Sequence, residues 1–283
     1  MTITVAIPCF NGEKFIEKTI ESVLAQTQKP NQIIVIDDGS TDKSYSIISR
    51  YPVHVIRHNK NHGLAAARNT ALYNTETDLI LFVDADAYAS PQLVETITKV
   101  FETGAYAGVG GRGVEQQIIT IEDVWRSLHA TQGHGKKFKD DCEYLYGLCM
   151  AYRVNILKEV GGFDPIYRTN AEDVDIGLKL TNKGYKLAYT PNAIVYHQRQ
   201  DNLQTLRKAM YSWYYWGYIS RFKNKRKPWK LFAGVIKRFL FYDLAKDLFK
   251  DNSKKLIKLD ILVFYSRMQA LYDAWVTTRD SKR

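Results

Sequence analysis

Over the first 110 residues, short β-branched apolar runs alternate with amphipathic segments, and the two periodicities separate cleanly. The apolar runs predict strands near 3–7, 32–37, 53–58, 79–84 and 107–114. The segments between them predict helices near 14–26, 42–50, 63–74 and 91–101; in the first, Phe15, Ile16, Ile20, Val23 and Leu24 recur at helical spacing and Pro30 stops the run. Such alternation is the pattern of βαβ units and predicts an α/β fold with a mostly parallel sheet and flanking helices. From about 115 to 142 the pattern dissolves into a polar stretch containing Gly133-His134-Gly135-Lys136-Lys137, which reads as a mobile loop. A second patterned region over 143–197 closes the domain.

Beyond residue 200 the pattern becomes that of amphipathic helices. Aromatic and basic residues interleave in Met210-Tyr211-Ser212-Trp213-Tyr214-Tyr215-Trp216 and in Arg221-Phe222-Lys223-Asn224-Lys225-Arg226-Lys227. Helical spacing continues through Leu231, Phe232, Val235, Ile236, Phe239 and Leu240. The chain therefore divides into an α/β domain over 1–200 and a basic, aromatic-rich helical extension over 201–283. Charge divides at the same place. The net charge of +10 looks like a nucleic-acid signature, yet residues 1–200 carry 21 Lys+Arg against 23 Asp+Glu, while 201–283 carry 19 against 7. All the basic excess belongs to the extension, which gives it a surface partner of its own. Over 203–275 it suits a membrane interface, with aromatic rings at headgroup level and bases toward anionic lipid. The bland alternative is ordinary helices packed on the first domain or in a homodimer. No nucleic-acid recognition fold accompanies the bases.

Composition narrows the setting. A 45% hydrophobic and 25% charged chain of 283 residues folds around a sizeable core. Cys9, Cys142 and Cys149 form no C-x-x-C pair and no even set, so neither a disulfide framework nor a zinc knuckle is expected and the compartment is reducing. The chain opens directly on a strand-like run without a basic, apolar leader, and no stretch reaches the roughly 18 apolar residues of a spanning helix. The expected location is cytoplasmic, peripheral on the inner face of the cell membrane.

In an open parallel sheet, ligands bind outside the carboxyl ends of the strands. There the first strand delivers Pro8-Cys9-Phe10-Asn11-Gly12, the second Asp37-Asp38-Gly39-Ser40-Thr41-Asp42, and the fourth Asp84-Ala85-Asp86. Two carboxylates one residue apart are costly unless a cation or protons compensate them, and a hard divalent ion shared with substrate phosphates would do so. The same residues have ordinary structural uses: Ser40 or Asp42 as a helix N-cap, Asp84 and Asp86 as a polar strand exit. Recurrence of acids at consecutive strand ends favours the ligand reading.

Val5-Ala6-Ile7-Pro8-Cys9-Phe10-Asn11, Ile36 to Asp42, Asn61-x-Gly63-x-x-x-Ala67-Arg68-Asn69, Asp84-Ala85-Asp86, Gly161-Gly162-Phe163-Asp164 and Glu172-Asp173-x-Asp175 together resemble a family 2 glycosyltransferase over roughly residues 3–197. The resemblance implies the GT-A (Rossmann-like) fold and an inverting enzyme that uses a nucleotide sugar, with a UDP-sugar as the expected donor. It implies that Asp38 accepts a hydrogen bond from the base in a pocket shaped by Pro8 and Phe10, and that Arg68 lies near the base or pyrophosphate. Asp84 would face the ribose and metal, Asp86 would ligate Mg2+ or Mn2+, and Asp173 would be the general base toward the acceptor hydroxyl. Glu172 and Asp175 would position that helix. Without the resemblance, Glu172-Asp173 reads equally as an acidic first helical turn. The acceptor implied is lipid-linked or a growing polysaccharide.

His197, after Ala193-Ile194-Val195-Tyr196, is placed by the resemblance where it could close the metal site, although a lone histidine after an apolar run is also an ordinary structural residue. Gly108-Val109-Gly110-Gly111-Arg112-Gly113 fits G-x-G-x-x-G but lies inside an expected strand after four others, so a dinucleotide fingerprint is rejected in favour of close backbone approach to donor or acceptor. Two other classes stay open: a sugar nucleotidylyltransferase, which would need a Gly-rich phosphate loop after the first strand, and a non-catalytic glycan-binding scaffold, which would be expected to lack the acids.

Overall fold

The computed structural model describes residues 1–224, 226–249 and 253–280. They form two compact units, Met1–Gln116 with Gln132–Arg199, and Gln117–Thr131 with Gln200–Arg283.

The first unit holds an eight-stranded sheet: β1 (Ile3–Cys9), β2 (Gln32–Asp37), β3 (His54–Arg57), β4 (Leu79–Val83), β5 (Ala87–Ala89), β6 (Tyr106–Glu115), β7 (Cys149–Arg153) and β8 (Lys186–His197), in the order β3-β2-β1-β4-β7-β6-β8-β5. β1 pairs in parallel with β2 and β4, and β2 with β3. β7 runs antiparallel to β4 and β6, while β8 runs parallel to β6. All seven residues of β1 are buried, which explains its nearly unbroken apolar run: a central parallel strand is covered on both faces. Helices α1 (Ile16–Leu24), α2 (Ser44–Ile48), α3 (Leu64–Tyr73), α4 (Leu93–Thr103), α6 (Val154–Glu159) and α7 (Glu172–Asn182) flank it; α5 (Ile121–His129) belongs to the second unit. α1 buries Ile16, Ile20 and Val23 in the core, and α4 buries Leu93, Val94, Ile97 and Phe101.

Three details depart from the pattern read off the chain. α2 begins at Ser44, not 42, because Asp42 Oδ1 accepts a 2.9 Å bond from the Ser44 N–H and Oδ2 a 3.0 Å bond from the Glu13 N–H. Asp42 thus makes an Asx turn ahead of α2, whose N-cap residue, Lys43, carries no side-chain cap bond. After β4, Asp84-Ala85-Asp86 is a turn closed by Ala87 N–H on Asp84 C=O at 3.0 Å, and the short β5 that follows runs antiparallel to β8. The glycine run does lie inside β6, but not to admit a ligand: an added Cβ at Gly108 would sit 2.7 Å from the Tyr152 ring, at Gly111 2.5 Å from Ala193 O, and at Gly113 2.5 Å from Leu148 Cδ2. Protein already fills that space.

The second unit is helical: α5, α8 (Leu203–Lys223), α9 (Pro228–Arg238), a π-helical turn (Phe239–Asp243), α10 (Leu244–Phe249) and α11 (Lys254–Asp280). Trp125 from α5 packs with Leu206, Met210, Leu256, Leu259 and Val263. The stretch expected to be a loop therefore contains a helix. Thr120 and Asp123 cap it reciprocally, and Ile121, Val124, Trp125 and Leu128 give it one apolar face. No described helix is long and apolar enough to cross a membrane.

Candidate active site

The carboxyl ends of β1 and β2 are knitted together by side chains. Asn11, at φ 51°, donates its N–H to Ser40 Oγ at 2.9 Å and accepts the Thr41 N–H at 2.9 Å. Pro8 is buried in β1 opposite Ile36, and Phe10 is the first exposed residue beyond the strand. Asp38 is buried, and its carboxylate accepts from the His62 N–H at 2.9 Å and the Gly63 N–H at 2.8 Å, with His58 Nδ1 2.6 Å away. Asp38 therefore fixes the entry to α3. Gly63 enters that helix at φ 98°, and an added Cβ would sit 2.8 Å from Arg168 Cα, which is why glycine stands there.

α3 delivers Arg68, which the structure buries completely. One guanidinium nitrogen donates to Asp84 Oδ1 at 2.7 Å and to Gly147 C=O at 3.0 Å, and the other donates to Glu172. Burial acts to lower the Arg68 pKa, but Glu172, Asp84 and Asp173 outweigh it, so the cation is held firmly. Arg68 is thus placed as a fork between the β4 turn and the first residues of α7.

At that helix, Ala171 adopts a left-handed φ of 69°, rare outside glycine and asparagine, and turns the chain so that Glu172 and Asp173 open α7. Asp173 Oδ2 accepts from the Gly147 N–H at 2.8 Å and Oδ1 from the Val174 N–H at 2.8 Å. Burial raises the pKa values of both acids, Glu172 to about 7, with Arg68 opposing. Glu172 Oε2 is buried without a hydrogen-bond partner among the described residues. Asp175 accepts from the Tyr167 hydroxyl at 3.1 Å, tying α7 to the preceding loop.

A second network starts two residues after Asp84. Register between β5 and β8 sets Ala87 against His197, and Gln198 N–H donates to Asp86 C=O at 2.9 Å. His197 Nε2 then lies 3.3 Å from Asp86 Oδ2, and Nδ1 3.1 Å from Glu115 on β6. Burial disfavours the charged ring, yet Asp86 and then Glu115 outweigh it and push His197 up to about 9. Burial likewise acts to raise Asp86, but His197 and Arg199 hold its carboxyl below the usual range. Asp84 goes the other way, pushed up to about 6 by burial against the pull of Arg68. The Asp84 and Asp86 side chains keep 28% and 36% of their surface exposed, while His197 behind them keeps 5%. Two partly open carboxylates backed by an imidazole form a donor set that fits a hard or borderline divalent ion.

The Asp84-Ala85-Asp86 turn thus joins two networks, one leading through Arg68 to Glu172, Gly147 and Asp173, the other to His197 and Glu115. Asp38 stands apart with His58 at the start of α3. Sequence reasoning missed Gly147 and Glu115. Gly147 acts through its backbone, which no side-chain motif reveals, whereas Glu115 was visible as an acid ending the glycine-rich strand.

Residues 4–161, more than half of the chain, match the family model for glycosyl transferase family 2. A pre-mycofactocin glycosyltransferase of Mycobacterium tuberculosis is 26% identical over 257 residues, covering 87% of this chain and 53% of that protein. The O-antigen chain rhamnosyltransferase RfbN of Salmonella typhimurium is 28% identical over 211 residues, 70% of this chain and 66% of its own. The chain spans about half the length of the first of these relatives. Among solved structures, the mannosyltransferase PcManGT from Pyrobaculum calidifontis, in complex with GDP-Man and Mn2+, superposes with a TM-score of 0.66 at 17% identity, covering 96% of this chain and 87% of that one. This likeness shows the GT-A fold.

Proposed function

We propose that this chain, which belongs to glycosyl transferase family 2, moves a sugar from a nucleoside diphosphate sugar to an acceptor hydroxyl with inversion at the anomeric carbon. The observation that carries the reading is the Asp84-Ala85-Asp86 turn, which Arg68 ties to the Glu172-Asp173 start of α7. Asp173 takes the acceptor proton as the hydroxyl oxygen attacks the anomeric carbon and the bond to the diphosphate oxygen breaks. A base on the face opposite the leaving group gives a β-linked product from an α-linked donor. Gly147 N–H orients the Asp173 carboxylate, and Arg68 keeps Glu172 and Asp84 compatible in one buried network. Asp86, with Asp84 and His197, would hold Mn2+ or Mg2+, which neutralises charge on the departing diphosphate. Phe10, beyond the end of β1, and the Asp38 loop border the base. Uridine is the expected base, and guanosine belongs beside it because the solved mannosyltransferase is described with GDP-Man.

The acceptor is a lipid-linked or polysaccharide glycan at the cytoplasmic face of the membrane. An O-antigen chain transferase among the relatives supports the glycan. The helical unit supports the surface: of the eleven residues of α9 only Val235 is buried, and Trp229, Phe232, Leu240 and Phe241 are exposed beside Lys227, Lys230, Lys237 and Arg238.

The test is a panel of nucleotide sugars read by thermal shift and by donor hydrolysis, with and without Mn2+, on the wild type, Asp86→Ala and Asp173→Asn. One nucleotide class should stabilise the wild type in a metal-dependent way, Asp86→Ala should lose that response, and Asp173→Asn should keep it while losing transfer. Pyrophosphate release from a nucleoside triphosphate and a sugar phosphate would instead mark a nucleotidylyltransferase.

A further inference from the structure

Inside the helical unit, His129 at the end of α5, Asp247 on α10 and Asp260 on α11 turn toward one another, with one donor atom from each within 4.8 Å of the others. None is more than 2% exposed. His129 Nε2 lies 2.9 Å from Asp247 Oδ1 and 4.0 Å from Asp260 Oδ1. The ring's other nitrogen, Nδ1, faces a third carboxylate, Asp243, at 3.4 Å. Trp125 stacks on the ring at 5.1 Å and donates its Nε1–H to Asp260 Oδ1 at 2.8 Å.

The charges do not balance evenly. Buried Arg267 and half-exposed Arg238 both pair with Asp243. Among the described residues, the one basic group within ion-pair distance of Asp247 and Asp260 is the His129 ring. Independently, Asp247 Oδ2 and Asp260 Oδ2 are each buried with no hydrogen-bond partner among the described residues. Two carboxylates with spare oxygens in a dry interior demand a compensating cation. Asp243 Oδ1 stands 3.4 Å from Nδ1 without a hydrogen bond between them. With an ion on Nε2, the proton would sit on Nδ1 facing Asp243, as a carboxylate behind a metal-ligating histidine does. Donors bound to one ion at about 2.1 Å with tetrahedral angles sit roughly 3.4 Å apart, between the two separations seen here.

We propose that His129, Asp247 and Asp260 form a structural site for a divalent transition ion of the zinc or manganese type. It is separate from Asp84, Asp86 and His197, which lie in the other unit. A spare carboxylate oxygen can fill the fourth position, and the ion ties the inserted helix α5 to α10 and α11.

The test uses the full chain with Asp86→Ala, so that the donor site contributes no metal. After gel filtration, elemental analysis should find about one equivalent of zinc or manganese per chain, absent when His129→Asn is added. Cobalt(II) given to the metal-stripped protein should produce the visible bands of a low-coordinate site, absent in the same variant. Should His129→Asn fail to fold, Asp260→Asn, which keeps an acceptor for Trp125, should weaken zinc binding about tenfold or more in competition with a chelator. An Asp86→Ala protein with full helical circular dichroism that takes up neither ion, and is stabilised by neither, overturns the proposal and leaves His129 as a structural partner of Asp247.

Discussion

Arg68 and Asp84 meet at 2.7 Å although one lies on α3 and the other in the turn after β4, and the same guanidinium reaches Glu172 at the start of α7. Only a planar fork can serve acids on two sides at once. Arg68→Lys is therefore expected to keep the fold but reach one acid at a time, lowering kcat/KM by about 100-fold with little change in donor affinity, a misplacement effect. Arg68→Ala leaves Glu172 buried without its counter-charge and should cost about 3–5 kcal/mol in urea denaturation. Wild-type kinetics in Arg68→Lys would show that the bridge does not organise the site.

The acids of α7 give a pH signature. Glu172 is pushed up to about 7 by burial, so its contribution to stability is full below the ordinary glutamate value of 4.5 and is lost as pH rises through 7. Glu172→Gln should flatten that part of the stability profile measured by thermal melts. With Asp173 as the proposed base, transfer should run oppositely, because Asp173 must be ionised to accept the proton and its pKa is also raised by burial. The acid limb of kcat/KM should lie above the usual carboxylate range and, the two groups being coupled, move downward in Glu172→Gln. A limb unmoved by that change would separate the base from this pair.

Gly147 offers a sharper cut, since its N–H bonds Asp173 and its C=O bonds Arg68. An added Cβ would lie 3.1 and 3.2 Å from the Arg68 terminal nitrogens and 3.4 Å from Asp173 Oδ2. Gly147→Ala should displace both side chains by a few tenths of an ångström, cutting kcat at least about tenfold while donor affinity and melting temperature change little. A proportional fall in affinity would place Gly147 at the donor.

The βαβ half of the molecule was legible because the period of two and the period of 3.6 alternate there without competition, and because a buried parallel strand is apolar on both faces, as β1 and β4 are. The acids at the strand ends were legible as residue types. Their wiring was not: no local window shows that the Arg68 guanidinium reaches Asp84, Glu172 and Gly147. α5 was lost for a different reason. Its apolar spacing is intact, but Glu122, Asp123 and Arg126 and the glycines that follow made the stretch look solvated. Asp123 and Arg126 are in fact buried against Asp201, a partner nearly 80 positions away that no local window contains.

Trp229 and Phe241 carry the last prediction, being 64% and 76% exposed beside Lys227, Lys230 and Lys237. Aromatic rings left in water next to bases suit the headgroup layer of an anionic membrane, where each base near the surface adds about 1 kcal/mol. The chain should co-sediment with vesicles containing phosphatidylserine, lose binding as salt rises, and ignore vesicles of phosphatidylcholine alone. Replacing Trp229 and Phe241 together by serine should weaken that binding at least about tenfold and leave transfer to a soluble acceptor intact. If vesicle binding is unaffected but a dimer seen by sedimentation dissociates, the exposed rings belong to an interface with a second copy, and the membrane reading falls.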